Sequence, residues 1–142
     1  MLHGLPRPRP DHDTEPFWAG CREGRFLVPV CDACGRGRWP PGPMCPYCRA
    51  TATTWTPSDG QGRVYSWVVV THPVDEVLVD QVPYVVGLID LPEGVRVVGN
   101  VVGGEPGDLS AGEPVELFFE DAEDGMRLPS FRRVDHQQGE TR

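Results

Sequence analysis

Three features of the sequence predict a mainly β protein with a short N-terminal helix, a metal-binding ribbon and a five-stranded barrel. Two Cys-x-x-Cys pairs are separated by ten residues. Glycine and proline contribute 17 and 16 of the 142 residues, which favours turns and short strands over long helices. Short runs of β-branched and aromatic residues follow residue 60. The predicted divisions are a tail and helix over 1–25, a ribbon over 26–57, a barrel over 58–135 and a disordered tail over 136–142.

The chain begins with a segment that is too polar and proline-rich to bury a core, so residues 1–12 are expected to be extended. A short helix is predicted next, with Asp13 or Thr14 as its cap and Gly24 at its end. It would have roughly two to three turns. Such a helix is marginal alone and has to pack against the ribbon or another subunit.

The predicted helix carries two aromatic residues and a cysteine. Phe17 and Cys21 are four residues apart and share a face. Cys21 is interpreted as a small buried apolar residue, with a reactive thiol as the alternative. Phe17 and Trp18 are predicted to be exposed and to anchor an interface with a partner protein.

The paired cysteines are the strongest motif in the chain. A two-residue gap lets a tight turn direct both sulfurs at one point, and two facing turns supply four ligands at tetrahedral corners, the geometry that zinc prefers. The alternatives are two disulfides, a redox dithiol or an iron site of the rubredoxin type. A closed tetrathiolate site has a structural role, since no coordination position is open. The predicted zinc ligands are Cys31, Cys34, Cys45 and Cys48.

Two strands should frame these knuckles, over residues 26–30 before the first and 51–55 after the second. Several arginines lie around them, including Arg36 and Arg38. This cluster would suit a phosphate group or an acidic partner, or it is simply a solvated face.

The second half of the chain predicts five short strands joined by turns. The runs of β-prone residues cover 63–71, 84–91, 95–102, 115–119 and 127–134. Asp124-Gly125 is a hairpin signal between the last two, and Gly99 marks a place for a bulge or bend. Five strands in fewer than eighty residues indicate a small closed barrel of the OB type.

Charge and composition limit the possible functions. Residues 51–142 contain six arginines against sixteen acidic residues, so a nucleic-acid interface on the barrel is not expected. The chain has no lysine, which excludes a Schiff-base or phosphate-loop lysine.

No apolar run approaches the roughly 20 residues of a membrane span, and the start does not read as a signal peptide. Because thiolate ligands persist where thiols are kept reduced, the expected location is the cytoplasm, without membrane contact.

Two further features are interpreted as structural and not as functional sites. The acidic run at 120–124 lacks the alternating spacing of a calcium loop and is interpreted as a solvated turn. His72 has no carboxylate or nucleophile placed beside it by any motif, so a structural role at a strand end is favoured over acid–base catalysis.

The order of motifs resembles that of the DUF35 family. The resemblance covers about residues 13–134. It is carried by the helix start, Cys-x-x-Cys-Gly, Trp39-Pro40-Pro41, Cys45-Pro46-Tyr47-Cys48, Gly60-x-Gly62-x-Val64-Tyr65-Ser66, Pro83-Tyr84-Val85-Val86, Leu91-x-Glu93-Gly94-Val95-Arg96 and Phe131.

This resemblance implies an N-terminal helical segment, a rubredoxin-like zinc ribbon and a C-terminal OB fold. It implies a non-catalytic accessory subunit of a thiolase-superfamily enzyme that acts on an acyl-CoA, foremost a retro-aldolase of steroid side-chain degradation. The alternatives are an accessory subunit of an acyltransferase or acyl-CoA synthase, or an OB-fold nucleic-acid binder. The resemblance carries metal ligands onto Cys31, Cys34, Cys45 and Cys48, and it carries over no catalytic residues. Acyl-CoA would reach the chain only through the complex, with Arg36 and Arg38 as candidate contacts for the coenzyme A phosphates.

Overall fold

The structure, a computed structural model, describes residues 4–134. The predicted disordered tail over 136–142 lies outside this range. No helix in the described range is long and apolar enough to cross a membrane. The helix and strands are α1 (Glu15–Arg22), β1 (Leu27–Cys31), β2 (Thr53–Pro57), β3 (Gln61–Val70), β4 (Tyr84–Asp90), β5 (Arg96–Val102), β6 (Pro114–Asp121) and β7 (Arg127–Arg133).

The N-terminal tail and helix follow the sequence in outline. Thr14 occupies the N-cap position of α1, but its side chain makes no capping hydrogen bond. The carboxylate of Asp11 instead accepts hydrogen bonds from the amides of Asp13 and Thr14, at 3.0 and 2.9 Å. The helix ends before Gly24, whose φ of 76° only glycine adopts readily.

The described part of the tail is extended and lies on the barrel. Arg7 forms ion pairs with Glu123 and Asp124 in the turn between β6 and β7. The run 120–124, interpreted above as a solvated turn, therefore also fixes the tail. In the same turn Asp124 and Gly125 both have positive φ, as the hairpin signal predicts.

The ribbon is a two-stranded antiparallel sheet of β1 and β2. Leu27 lies opposite Pro57 and Cys31 opposite Thr53. Both strands begin one or two residues later than predicted. Past the end of the ladder, the carbonyl of Ala52 accepts a hydrogen bond from the amide of Asp32, which joins the first knuckle to the start of β2.

The barrel closes in the order β3-β4-β5-β7-β6. All pairs are antiparallel except β5 with β7, and β6 returns to pair with the start of β3. This is the five-stranded OB arrangement, and each predicted strand occurs at its predicted place. β4 pairs with β3 along one side and with β5 along the other, and its side chains alternate between buried and half-buried.

The expectation of a bulge at Gly99 is wrong. Gly99 lies opposite Gly87 in a continuous ladder, and a Cβ there would lie 2.8 Å from the ring of Phe131. Glycine is present because an aromatic ring covers the position. The register shift lies instead in β3, between Val64 and Ser66.

One hydrophobic core runs through the helix, the ribbon and the barrel. Gly37 brings the ribbon against the β4–β5 turn, because a Cβ there would lie 3.0 Å from Val95. The buried members of the core are Phe17, Cys21, Phe26, Val28, Val64, Val85, Ile89, Leu91, Val95, Val97, Val101, Leu109, Val115 and Phe131.

Candidate functional site

The four predicted ligand cysteines converge at the end of the ribbon. Their sulfur atoms all lie within 4.8 Å of one another. The shortest separations cross between the knuckles, 3.5 Å from Cys31 to Cys48 and 3.6 Å from Cys34 to Cys45. Zinc–sulfur bonds of about 2.3 Å place the sulfurs of a tetrahedral site about 3.8 Å apart. The four side chains therefore fit one metal ion.

This geometry excludes disulfides. A disulfide holds its sulfurs about 2.05 Å apart, and all five cysteines are free thiols here. A redox dithiol also fits poorly, because the sulfurs of both knuckles are shared around one centre and Cys31 and Cys45 are buried.

The two knuckles repeat one backbone pattern. Each is followed by a residue in the left-handed region, Gly35 with φ of 73° and Arg49 with φ of 65°. These conformations let the amides of Gly35 and Arg49 bond to the carbonyls of Cys31 and Cys45, both at 2.9 Å. A glycine after the knuckle is the usual sequence signal for this conformation, so the sequence indicates it at Gly35 and gives no sign of it at Arg49.

Backbone amides also stabilise the thiolates of Cys31 and Cys45. The amide of Cys34 is the largest influence that lowers the pKa of Cys31. Burial opposes ionisation of Cys45, but the amides of Cys48 and Tyr47 outweigh it and lower the pKa of Cys45 to about 6. At Cys48 the amide of Ala50 acts in the same direction, but the neighbouring thiols and burial outweigh it and raise the pKa of Cys48 to about 11. Amides directed at sulfur are what a metal-bound thiolate requires, since the thiolate is the ligand.

The predicted phosphate contacts divide into one exposed and one buried arginine. Arg36 is exposed and stacks on Tyr47, with its guanidinium carbon 4.7 Å from the ring centre. Arg38 is only 7% exposed and donates to the carbonyl of Gly42 and the hydroxyl of Thr53, at 2.9 and 2.8 Å. Arg38 therefore braces the loop between the knuckles, and the surface position expected for it is wrong. Arg36 remains a predicted contact.

Of the two predicted aromatic anchors, one is buried and the other is half-buried. Phe17 is 5% exposed and packs edge-to-face against Phe26 and Trp39, with ring centres 5.0 Å apart in both pairs. Its expected exposure is wrong because the ribbon covers this face of α1. Trp18 is half-buried beside it, 4.9 Å between ring centres, and remains a predicted contact.

Cys21 is a fully buried part of the core. Burial raises the pKa of its thiol to about 12, although Arg127 acts in the opposite direction. The thiol is thus protonated at neutral pH, which confirms the interpretation as a small apolar residue. His72 is exposed just beyond the end of β3, consistent with a role at a strand end.

One feature of the barrel was not predicted from the sequence. A cleft of about 620 Å³ opens where β4 starts and β5 ends. It is lined by segments distant in the chain, around residues 78–86, 100–109 and 130–133, with Leu5 of the tail at one side. Only the closure of the barrel brings these segments together, so no local motif could indicate it.

Family comparisons agree with this architecture. Residues 18–54 match the family described as the ChsH2 rubredoxin-like zinc ribbon domain. Residues 55–120 match the ChsH2 C-terminal OB-fold domain. With the sulfur geometry above, the four cysteines form a structural zinc site.

Curated relatives fall into two groups. A DUF35 domain-containing scaffold protein of Methanocaldococcus jannaschii is 36% identical over 77% of this chain and 81% of its own length. A probable enoyl-CoA hydratase alpha subunit of Thermomonospora curvata is 37% identical over 89% of this chain. A 3-oxo-4,17-pregnadiene-20-carboxyl-CoA hydratase alpha subunit of Mycobacterium tuberculosis is 33% identical over 83% of this chain. The chain spans only 39% and 37% of those two hydratase subunits.

A solved structure described as the Ltp2-ChsH2(DUF35) aldolase contains a similar chain. The superposition has a TM-score of 0.81 at 36% sequence identity. It covers 89% of this chain and 98% of that chain. The similarity therefore extends over nearly the whole of the solved chain.

Proposed function

Since this chain belongs to the DUF35 family, we propose that it is a non-catalytic accessory subunit of a thiolase-fold enzyme that cleaves an acyl-CoA by a retro-aldol reaction. The single observation that carries the proposal is the similarity to a chain of the Ltp2-ChsH2(DUF35) aldolase over 98% of that chain. Steroid side-chain acyl-CoA is the proposed substrate class, supported by the pregnadiene-carboxyl-CoA named for the Mycobacterium tuberculosis relative.

The chemistry of the described residues supports an accessory role. The zinc site is a closed tetrathiolate, which stabilises a fold and has no open position for a substrate. Hydratase activity is not part of the proposal, because the chain spans about two fifths of the relatives named for it. The catalytic residues would belong to the partner.

Two exposed features of the N-terminal half are proposed to contact the complex. Trp18 offers a half-buried aromatic surface on α1, and aromatic residues of this kind are frequent interface anchors. Arg36, held by Tyr47 at the tip of the ribbon, is the proposed contact for a coenzyme A phosphate. Arg38 and Phe17 are not, since both are buried.

The test is reconstitution with the enzyme that this chain accompanies in its own organism. Untagged chain is purified under mild conditions, and a co-purifying thiolase-fold enzyme is identified by mass spectrometry. Retro-aldol cleavage of a steroid side-chain β-hydroxyacyl-CoA is then measured for each subunit alone and for the complex. We expect cleavage by the complex and none by this chain alone.

Trp18→Ala is compared with Trp55→Ala, a half-buried tryptophan on β2 of the ribbon. We expect Trp18→Ala to weaken the complex about tenfold or more, as hot-spot aromatics do, with the zinc retained in both variants. Cleavage by the isolated chain, or a partner that is soluble and fully active without it, would show that the accessory role is wrong.

A further inference from the structure

The cleft at the end of the barrel has apolar walls. Its volume of about 620 Å³ lies within the roughly 300–1,000 Å³ typical of binding sites. Loops 71–83 and 103–113 border it on either side of the β4 and β5 ends. The apolar residues that line it are Leu5, Leu78, Pro83, Tyr84, Val85, Val86, Val101, Val102, Pro106 and Leu109.

The charged groups in this cleft leave an unbalanced negative charge. Arg133 is neutralised by Glu113, through hydrogen bonds of 2.6 and 2.9 Å to its two carboxylate oxygens. Arg133 also donates to carbonyls of the 103–108 loop, which fixes its direction. Glu105 and Glu120 line the cleft as well. Within residues 4–134, neither carboxylate has an ion pair or a hydrogen-bond partner.

The cleft also presents a serine hydroxyl. Ser130 is only 4% exposed and lines the cleft. Its side chain makes no hydrogen bond to any residue in the described range. The cleft therefore offers an incoming group one hydroxyl and two carboxylates among mostly apolar side chains.

Exposed valines occur in the 71–83 loop and on β5, two of the segments that border the cleft. Val74 in the 71–83 loop is 82% exposed and Val98 on β5 is 65% exposed. Val77, Val79 and Val102 are exposed nearby in the same loop and strand. Exposed apolar side chains on segments that border a cleft favour a protein contact there.

We propose that this cleft is the docking socket for the aldolase subunit, which inserts an apolar segment that carries a lysine or arginine. The inference rests on the proposed function and adds the surface that mediates it. A cation on an apolar stem matches the walls and reaches the unpaired carboxylates of Glu105 and Glu120. The same charge disfavours the phosphates of an acyl-CoA, so the occupant is the partner protein and not the substrate.

The test measures affinity for the purified aldolase subunit identified above. Glu120→Arg is compared with Glu116→Arg, because both glutamates are on β6 and undergo the same charge change, but only Glu120 lines the cleft. We expect Glu120→Arg and Glu105→Arg each to raise Kd about tenfold, and together more, as close charge pairs at interfaces do. Glu116→Arg should change Kd less than about twofold, like other substitutions at an interface rim.

A second measurement does not depend on variants. Hydrogen exchange of the wild-type chain is compared with and without the aldolase subunit, and we expect protection in residues 81–86 and 100–109. Zinc content and melting temperature of each variant identify folding defects.

Equal affinity of the cleft and control variants, or exchange protection confined to the ribbon, would overturn the docking socket. Protection of the cleft by acyl-CoA alone would do the same. If the wild-type chain binds no acyl-CoA-cleaving enzyme, the proposed function itself fails.

Discussion

The ribbon and the barrel of this protein are stabilised in different ways and present opposite charge. The ribbon has two strands of five residues, and its four cysteines meet within 4.8 Å at one end. The barrel has five strands closed into one ladder around buried Val, Ile and Phe side chains. The tip of the ribbon shows an arginine stacked on a tyrosine, whereas the barrel cleft shows two glutamates that have no ion pair within residues 4–134.

This contrast shows why the two regions tolerate different changes. A sheet of two short strands cannot stabilise itself, so the free energy of metal binding is the free energy of folding there. The barrel depends on close packing, where a single added carbon is costly. The aromatic group of Phe17, Phe26 and Trp39 joins the helix to the ribbon, and the same core continues into the barrel.

The largest expected effect is loss of the ribbon when zinc cannot bind. Structural zinc sites contribute about 10–16 kcal/mol at neutral pH. We expect Cys45→Ser, or a strong chelator, to abolish amide protection in β1 and β2 while β3 to β7 keep theirs. Hydrogen exchange and elemental analysis for one zinc per chain check this. Cys21→Ala is the control, since Cys21 is not a ligand and the variant should keep its zinc. A ribbon that stays protected without metal would contradict the prediction.

The next effect is specific to the barrel. A Cβ on Gly62 would lie 2.4 Å from Ile89 and 3.2 Å from Val115. We expect Gly62→Ala to lower the free energy of unfolding by about 3 kcal/mol, the upper range for overpacking, without loss of zinc. Denaturant unfolding monitored by tryptophan fluorescence measures the change. Gly107→Ala has no atom within 4 Å of the added carbon and should be neutral. Equal stability of the two variants would mean that the barrel wall is not closely packed at Gly62.

The smallest effect distinguishes the two knuckles. Arg49 holds the left-handed conformation that Gly35 holds in the other knuckle. We expect Arg49→Gly to stabilise the ribbon by about 1 kcal/mol and Gly35→Ala to destabilise it by a similar amount, because a Cβ is unfavourable at positive φ. Competition for zinc with a chromogenic chelator reports both. Opposite signs for the two substitutions are the expected result, and the same sign for both would contradict the shared backbone pattern.

The sequence predicted most of the secondary structure and all four zinc ligands, but the exposure of several residues was predicted incorrectly. The knuckles and turns are local, so Cys-x-x-Cys and Asp124-Gly125 specify them within a few residues. The exposure of Phe17 and Arg38 depends on what packs over them. That packing involves Trp39 for Phe17 and Thr53 for Arg38, which lie 22 and 15 residues away. The expected bulge at Gly99 was wrong for the same reason, because the glycine is required by the ring of Phe131, a residue distant in the chain.

The amino-acid sequence by itself determined the metal site and the positions of the strands along the chain, because ligand spacing and β-prone runs act over short stretches of chain. The tertiary structure alone decided which face of α1 is covered and where the cleft opens. Leu5, Val86, Leu109 and Ser130 become neighbours only when β5 pairs with β7 and closes the barrel. A docking surface made from such distant segments depends on long-range pairing, and that pairing leaves no local trace in the sequence.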